Sequence, residues 1–236
     1  MKLLLSNQHG AIVMALMPFL YGMLHAQPII WHLFLGLAWF SLYLMTYPFL
    51  SLFKGRNLDL YRRWSIIYAA TSLLFALPAL YYNWQVIWFV LAIFPLSFVS
   101  IYYTKQKNER ALINDLVAIL IFAIAGMAAY YFPQRQLDQG LWQTALYPSL
   151  FFIGTTLYVK SVLRERKNPF YLRLSLIFHW ICCLIFIPFN LGLASAFIVP
   201  LLRAYYVPKQ KLSTKQIGLL EMGVSLLFFI MLVLTT

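Results

Sequence analysis

Lys160, Arg164, Glu165, Arg166, Lys167 and Arg173 form the densest charge cluster of the chain, in the stretch Y-V-K-S-V-L-R-E-R-K-N-P-F-Y-L-R from Tyr158 to Arg173. Such cations suit a phosphate or carboxylate ligand, Arg through a planar fork of donors and Lys as a point charge. Lys160 and Arg164, four residues apart, fall on one helical face. Lys160 lies about a turn deeper in the apolar run, where it either snorkels to the surface or points into a cavity. A second basic stretch, Phe53 to Tyr68, repeats the pattern 110 residues earlier. Its Arg56, Tyr61, Arg63, Ser65 and Ile67 recur as Arg166, Tyr171, Arg173, Ser175 and Ile177, and Lys54 as Arg164. With Lys54, Arg62 and Arg63 the two basic loops can hold phosphate oxygens together; the plain alternative is anchorage to anionic lipid headgroups.

Asn108, Glu109 and Arg110 are expected to open the fifth helix, with Asn108 as its cap and Glu109 at its positive end. Asn114 and Asp115 follow, Asp115 more than a turn inside an apolar helix, where a carboxylate is a candidate site group with a basic partner from a neighbouring loop. His9 and His179 fall on the same side of the membrane and are suited to proton transfer or haem ligation; His25 and His32 belong at the opposite interface. Glu221 can pair with Lys215 or Arg203. The catalytic candidates are therefore Asp115, His9 and His179. The candidate binding set is Lys54, Arg62, Arg63, Asn108, Arg110, Asn114, Asp115, Lys160, Arg164, Glu165 and Arg166. Cys182 and Cys183, adjacent in an apolar run, have neither metal-ligand nor disulfide spacing and read as packing or lipid-facing residues. No phosphate-binding loop, hydrolase elbow or H-E-x-x-H is present, and no cofactor is specified.

The elements that must position these groups are membrane helices. Hydrophobic residues make up 63% of the chain and charged residues 10%, too few to cover a soluble fold. The net charge of +12 would suggest nucleic acid in a soluble protein; here it is explained by Lys and Arg gathered on one side of a bilayer, so no nucleic-acid partner is expected. Apolar runs long enough to cross a core of about 30 Å divide an all-α chain into nine helices near 11–25, 29–53, 64–82, 85–103, 111–131, 141–162, 173–189, 191–206 and 216–235. This layout puts seventeen of the eighteen basic residues on one side, with Arg135 alone on the other. The N-terminus is then cytoplasmic and the C-terminus outside. Trp31, Trp84, Trp88 and Trp142 fall at the far ends as an interfacial belt. The first apolar run is too short for a cleavable signal. The expectation is one transmembrane domain over 1–236, with a parallel internal repeat of helices two to three and six to seven around an axis along the membrane normal.

The pieces N-Q-H-G-A (7–11), Tyr47 with Pro48, Y-R-R-W (61–64), N-E-R (108–110), N-D-L (114–116), Y-V-K-S-V-L-R-E-R (158–166) and I-G-x-x-E (217–221) resemble the YwiC-like family of bacterial membrane proteins. That family carries no established activity, so the resemblance implies membership and a bacterial cytoplasmic membrane. More distantly, nine helices with charged loops are similar to the UbiA superfamily of intramembrane prenyltransferases. There, Asp-rich motifs hold Mg2+ against a prenyl diphosphate. Here those loops keep only Asn57 and Asp59 in one and Glu165 in the other, fewer than the carboxylates a phosphate-bound Mg2+ usually needs. The expected function is binding, and metal-independent modification, of a phosphate-bearing or anionic amphipath in a basic cytoplasmic-side pocket. The partners would be the bilayer and a phosphate-bearing lipid or isoprenoid. The alternatives are a transporter or flippase for an anionic solute, disfavoured by the scarcity of polar residues at mid-membrane, and an accessory factor of a membrane complex.

Overall fold

The computed structural model describes residues 4–5, 9–55, 57–210 and 212–236, with His9 described by its backbone alone. Its helices are α1 (His9–His25), α2 (Trp31–Leu52), α3 (Leu58–Tyr82), α4 (Ile87–Lys105), α5 (Leu112–Gln134), α6 (Gln139–Val159), α7 (Pro169–Phe186), α8 (Leu191–Ala196), α9 (Ile198–Tyr206) and α10 (Thr214–Thr235). Among the described residues all regular structure is helical. Among the described residues, eight helices, each counted with the short turns that continue it, are long and apolar enough to cross a membrane, and the shorter apolar Gly10–His25 lies before them. The protein is an all-α, multi-pass membrane protein. Leu73, Leu74, Leu77, Phe94 and Phe98 stand exposed along α3 and α4. An apolar surface this continuous is a liability in water and the natural face toward lipid.

Four boundaries differ from the expected ones, each for a local reason. α3 begins at Leu58, after Asn57 in the left-handed conformation (φ 48°), so Arg62 and Arg63 ride on the helix and not in a loop. α7 begins at Pro169: the Asn168 carboxamide accepts from the Phe170 N–H at 3.0 Å, and proline is at home in a first turn, where no N–H is needed. Arg173 is thereby helical too. α5 begins at Leu112, and its N-cap, Ala111, offers no side-chain bond. Asn108 caps nothing there; its N–H closes the preceding helix end on the Tyr103 carbonyl at 2.9 Å. Asp115 consequently lies in the first turn of α5, not more than a turn inside, and complements the helix dipole. The eighth apolar run is two helices broken at Phe197, because Pro200 has no N–H to give the Ala196 carbonyl.

The chain divides into two compact units, residues 1–145 and 146–236, with the boundary inside α6. In the first unit α2 packs on α3, and α5 on both α1 and α4. α1 and α5 approach closely at Gly22 and Gly126, where a Cβ on either would strike the other helix's backbone, the small-residue contact typical of membrane helices. The Trp39 indole donates to the Ala15 carbonyl at 2.9 Å. His32, expected at an interface, is 2% exposed: Nδ1 accepts from the Ile29 N–H at 3.0 Å and Nε2 faces the Ala129 carbonyl at 2.9 Å. It is a structural staple. In the second unit α7 packs on α8 and α9, and α10 on α8. Asn190 makes the turn between α7 and α8: its carboxamide accepts from the Leu193 N–H at 2.9 Å and donates to the Thr235 carbonyl at 2.8 Å. Phe151 stacks on Phe228 with centroids 4.2 Å apart, and Cys182 and Cys183 are both buried in packing.

Candidate functional site

At the basic end of the second unit, α6 does not stop but widens into a π turn over Lys160–Arg164, closed by the Glu165 N–H on the Lys160 carbonyl at 2.7 Å. Such turns recur at functional sites. The widening separates two residues expected to share a face: Lys160 is 4% exposed whereas Arg164 is exposed, and each is engaged with a partner. Beside the turn lies a cavity of about 240 Å³. Arg166, Lys167, Asn168 and Gln210 supply its polar lining, and Val162, Leu172, Leu212 and Ile217 its apolar lining. Asn168 and Pro169 bring the first turn of α7 to the same place, and with it the positive end of that helix. Arg164 and Glu165 line a more open recess that shares Arg166 with the cavity.

Deeper in the same unit, α6, α7, α9 and α10 converge on Arg203. Its Nη1 donates to Glu221 Oε2 at 2.5 Å and to Thr155 Oγ1 at 3.3 Å. Its Nη2 meets His179 Nε2 at 3.0 Å, and its guanidinium lies 4.3 Å over the Tyr158 ring. His179 Nδ1 is 2.7 Å from the Ser175 carbonyl. A carbonyl only accepts and a guanidinium only donates, so Nδ1 carries the proton, Nε2 offers its lone pair, and the imidazole is neutral. His179 is ten residues along α7 and Glu221 seven along α10, so both lie roughly 10–15 Å below the helix starts at 1.5 Å per residue. Of the two partners foreseen for Glu221, the structure selects Arg203, a buried pair with side chains 2% and 13% exposed. Polar groups do therefore reach mid-membrane depth. Sequence reasoning foresaw the Glu221–Arg203 pair and singled out His179 but did not join them into one cluster, because it counted Arg203 among loop cations; the available signal was three ionisable residues inside apolar helices.

The other candidates belong to the first unit. Lys54 pairs with Glu109 at 2.7 Å across a contact about 40% exposed on each side. Asn114 donates to the Glu109 carbonyl at 2.8 Å, tying the α4–α5 turn together. Arg62, Arg63, Asn108 and Arg110 are exposed, and Asp115 is half-buried; Arg110 and Asp115 are engaged with partners. His9 and Arg56, by its side chain and as a whole respectively, lie outside the described residues. Among the described residues no group of three His, Cys, Asp or Glu gathers that could hold a metal ion.

A model of the YwiC-like protein family matches residues 5–130. The chain belongs to the YwiC-like family. Relatives extend the match through both units: an uncharacterized protein of Haemophilus influenzae is 59% identical over the whole of both chains. The uncharacterized protein YwiC of Bacillus subtilis is 37% identical over 98% of this chain and 96% of its own. No solved structure matches, so the similarity of this YwiC-like protein to the UbiA superfamily gains no support from structural comparison.

Proposed function

We propose that the protein binds a phosphate-bearing or otherwise anionic amphipath at the basic end of its second unit, on the cytoplasmic side of a bacterial inner membrane. The observation that carries this reading is the 240 Å³ cavity beside the π turn. Arg166, Lys167 and the start of α7 offer charge-assisted and helix-end hydrogen bonds to an anionic head, while Val162, Leu172 and Ile217 suit the first carbons of an apolar tail. A surface anchor for bulk lipid needs only exposed cations; a cavity with both linings supports a defined ligand. The recurrence of Tyr61, Arg63 and Ser65 as Tyr171, Arg173 and Ser175 supports a related basic element in the first unit, with Lys54, Arg62 and Arg63.

The test is native mass spectrometry of protein released gently from its own membrane, beside an Arg166→Ala, Lys167→Ala double variant. One defined anionic lipid or diphosphate, retained by the wild type and lost from the variant, is the expected result. Heterogeneous bulk phospholipid, equal in both, would sink the idea. A transport function is the second reading, favoured by the broken α8–α9 helix and the polar cluster at mid-depth, features of helical transporters. Substrate-dependent flux in proteoliposomes would favour it over simple binding.

A further inference from the structure

Among the described residues, the buried side-chain polar atoms without a hydrogen-bond partner are Ser65 Oγ, Asn114 Oδ1, Tyr158 OH, Arg203 Nε and Glu221 Oε1. Three of these five belong to the one cluster around Arg203. Buried polar atoms are nearly always satisfied, and each orphan costs the desolvation of the group. Three together, two of them on side chains at least 96% buried, Tyr158 and Arg203, point to something that fills the gap. The vacant functions are one N–H donor, one carboxylate acceptor and one hydroxyl. That set complements a molecule that both accepts and donates and bears no charge, because the Arg203 and Glu221 charges cancel and His179 is neutral.

We propose that the Arg203 cluster is an intramembrane proton site, in which a buried water bridges the three vacant groups and Glu221 Oε1 takes up and releases the proton. The water accepts from Arg203 Nε–H and donates to Glu221 Oε1, and the Tyr158 hydroxyl completes its hydrogen bonding. On uptake, an O–H bond forms at Oε1 and breaks on the hydrated proton delivered through that water; on release the reverse occurs, with no other reactant. Glu221 suits this role for two reasons. It is the least enclosed member of the pair, 13% exposed against 2% for Arg203. When Glu221 is neutral, Arg203 still keeps its other contacts, the His179 Nε2 lone pair, Thr155 Oγ1 and the Tyr158 ring. The groups around the Arg203–Glu221 pair are Tyr158 and Thr155 from α6 and His179 from α7, with Arg203 itself from α9 in direct contact with Glu221. Arg203 is the lone formal charge among them. A purely structural ion pair would be expected to satisfy both carboxylate oxygens.

This inference is independent of the anionic-ligand reading, since Arg166 and Lys167 are not in the cluster. The test is infrared difference spectroscopy of the full-length protein in lipid, titrated from about pH 4, near the ordinary value of a glutamate carboxyl, up to about pH 9. A protonated-carboxyl band that rises as pH falls, shifts in D2O and vanishes in Glu221→Gln is the expected result. No titrating band in the wild type, or one unchanged in Glu221→Gln, overturns the proposal. Should Glu221→Gln fail to fold, Tyr158→Phe decides: it is expected to move the band's midpoint by about one pH unit, tenfold in the protonation constant, and an unmoved midpoint overturns the proposal. Lipid retention in Arg166→Ala, Lys167→Ala is read separately, so either idea can fail alone.

Discussion

Arg203 is held by four different side chains from three helices, and the geometry depends on its planar fork. A lysine ammonium cannot meet Glu221, Thr155 and His179 while presenting a flat cationic face to Tyr158. Arg203→Met removes one member of a buried pair and is expected to lower stability by about 3–5 kcal/mol. Arg203→Lys should lose a large part of the same, both read as the shift in thermal unfolding in detergent. Glu109→Gln is the contrast: its pair with Lys54 is about 40% exposed on each side, and an exposed pair is worth at most about 1 kcal/mol. Equal losses in the two would mean that the Arg203 pair is no more embedded than a surface bridge. The residue scale is also where the sequence was least legible. Arg203 follows V-P-L-L at the end of an apolar run, and nothing local distinguishes an arginine that snorkels outward from one that points inward. Three dimensions supply the difference, because only folding brings His179, Glu221 and Thr155 around it.

Helices were legible in the sequence wherever run length alone decides, since an apolar stretch near the bilayer's thickness admits one reading. Their ends were not. α3 and α7 open with polar turns carrying Arg62, Arg63 and Arg173, which in sequence look like loop. The Lys160–Arg164 segment reads as ordinary helix because a π turn leaves no composition signal. Close approach between helices is equally silent until partners are known. At Gly126 an added Cβ would meet the Pro18 carbonyl oxygen at 2.7 Å, and backbone gives little. Gly126→Ala is therefore expected to force α1 and α5 apart and cost about 1–3 kcal/mol. Gly218→Ala in α10, where nothing lies within 4 Å, should be neutral or stabilise by up to about 1 kcal/mol through the helix preference of alanine. Opposite signs in the two melting shifts support the close α1–α5 contact; a neutral Gly126→Ala would refute it.

For the whole molecule, the strongest sequence statement concerns direction. Seventeen of eighteen basic residues fall on one side of the sequence's layout, sixteen once Arg203 is set aside as a buried helix residue, and the bias of Lys and Arg sets how a multi-pass chain inserts. Arg135, the exception, ends α5 in the left-handed conformation (φ 56°) and donates to the Tyr82 carbonyl at 2.8 Å, so it is a helix-end clamp and no counterweight to the bias. The expected topology follows: the α4–α5 turn around Lys107 inside, the α5–α6 turn around Arg135 outside, and Thr236 outside. The check is single-cysteine labelling in intact cells with a reagent that does not cross the membrane, on a background with Cys182 and Cys183 replaced by Ala. Leu137→Cys, on a residue 71% exposed in the α5–α6 turn, should react from outside. Lys107→Cys should react only after the membrane is opened. The reverse pattern would put the cavity lined by Arg166 and Lys167 outside and remove the cytoplasmic side from the proposed function. Labelling of both from outside would mean that α5 does not cross, against its 23 apolar-rich residues.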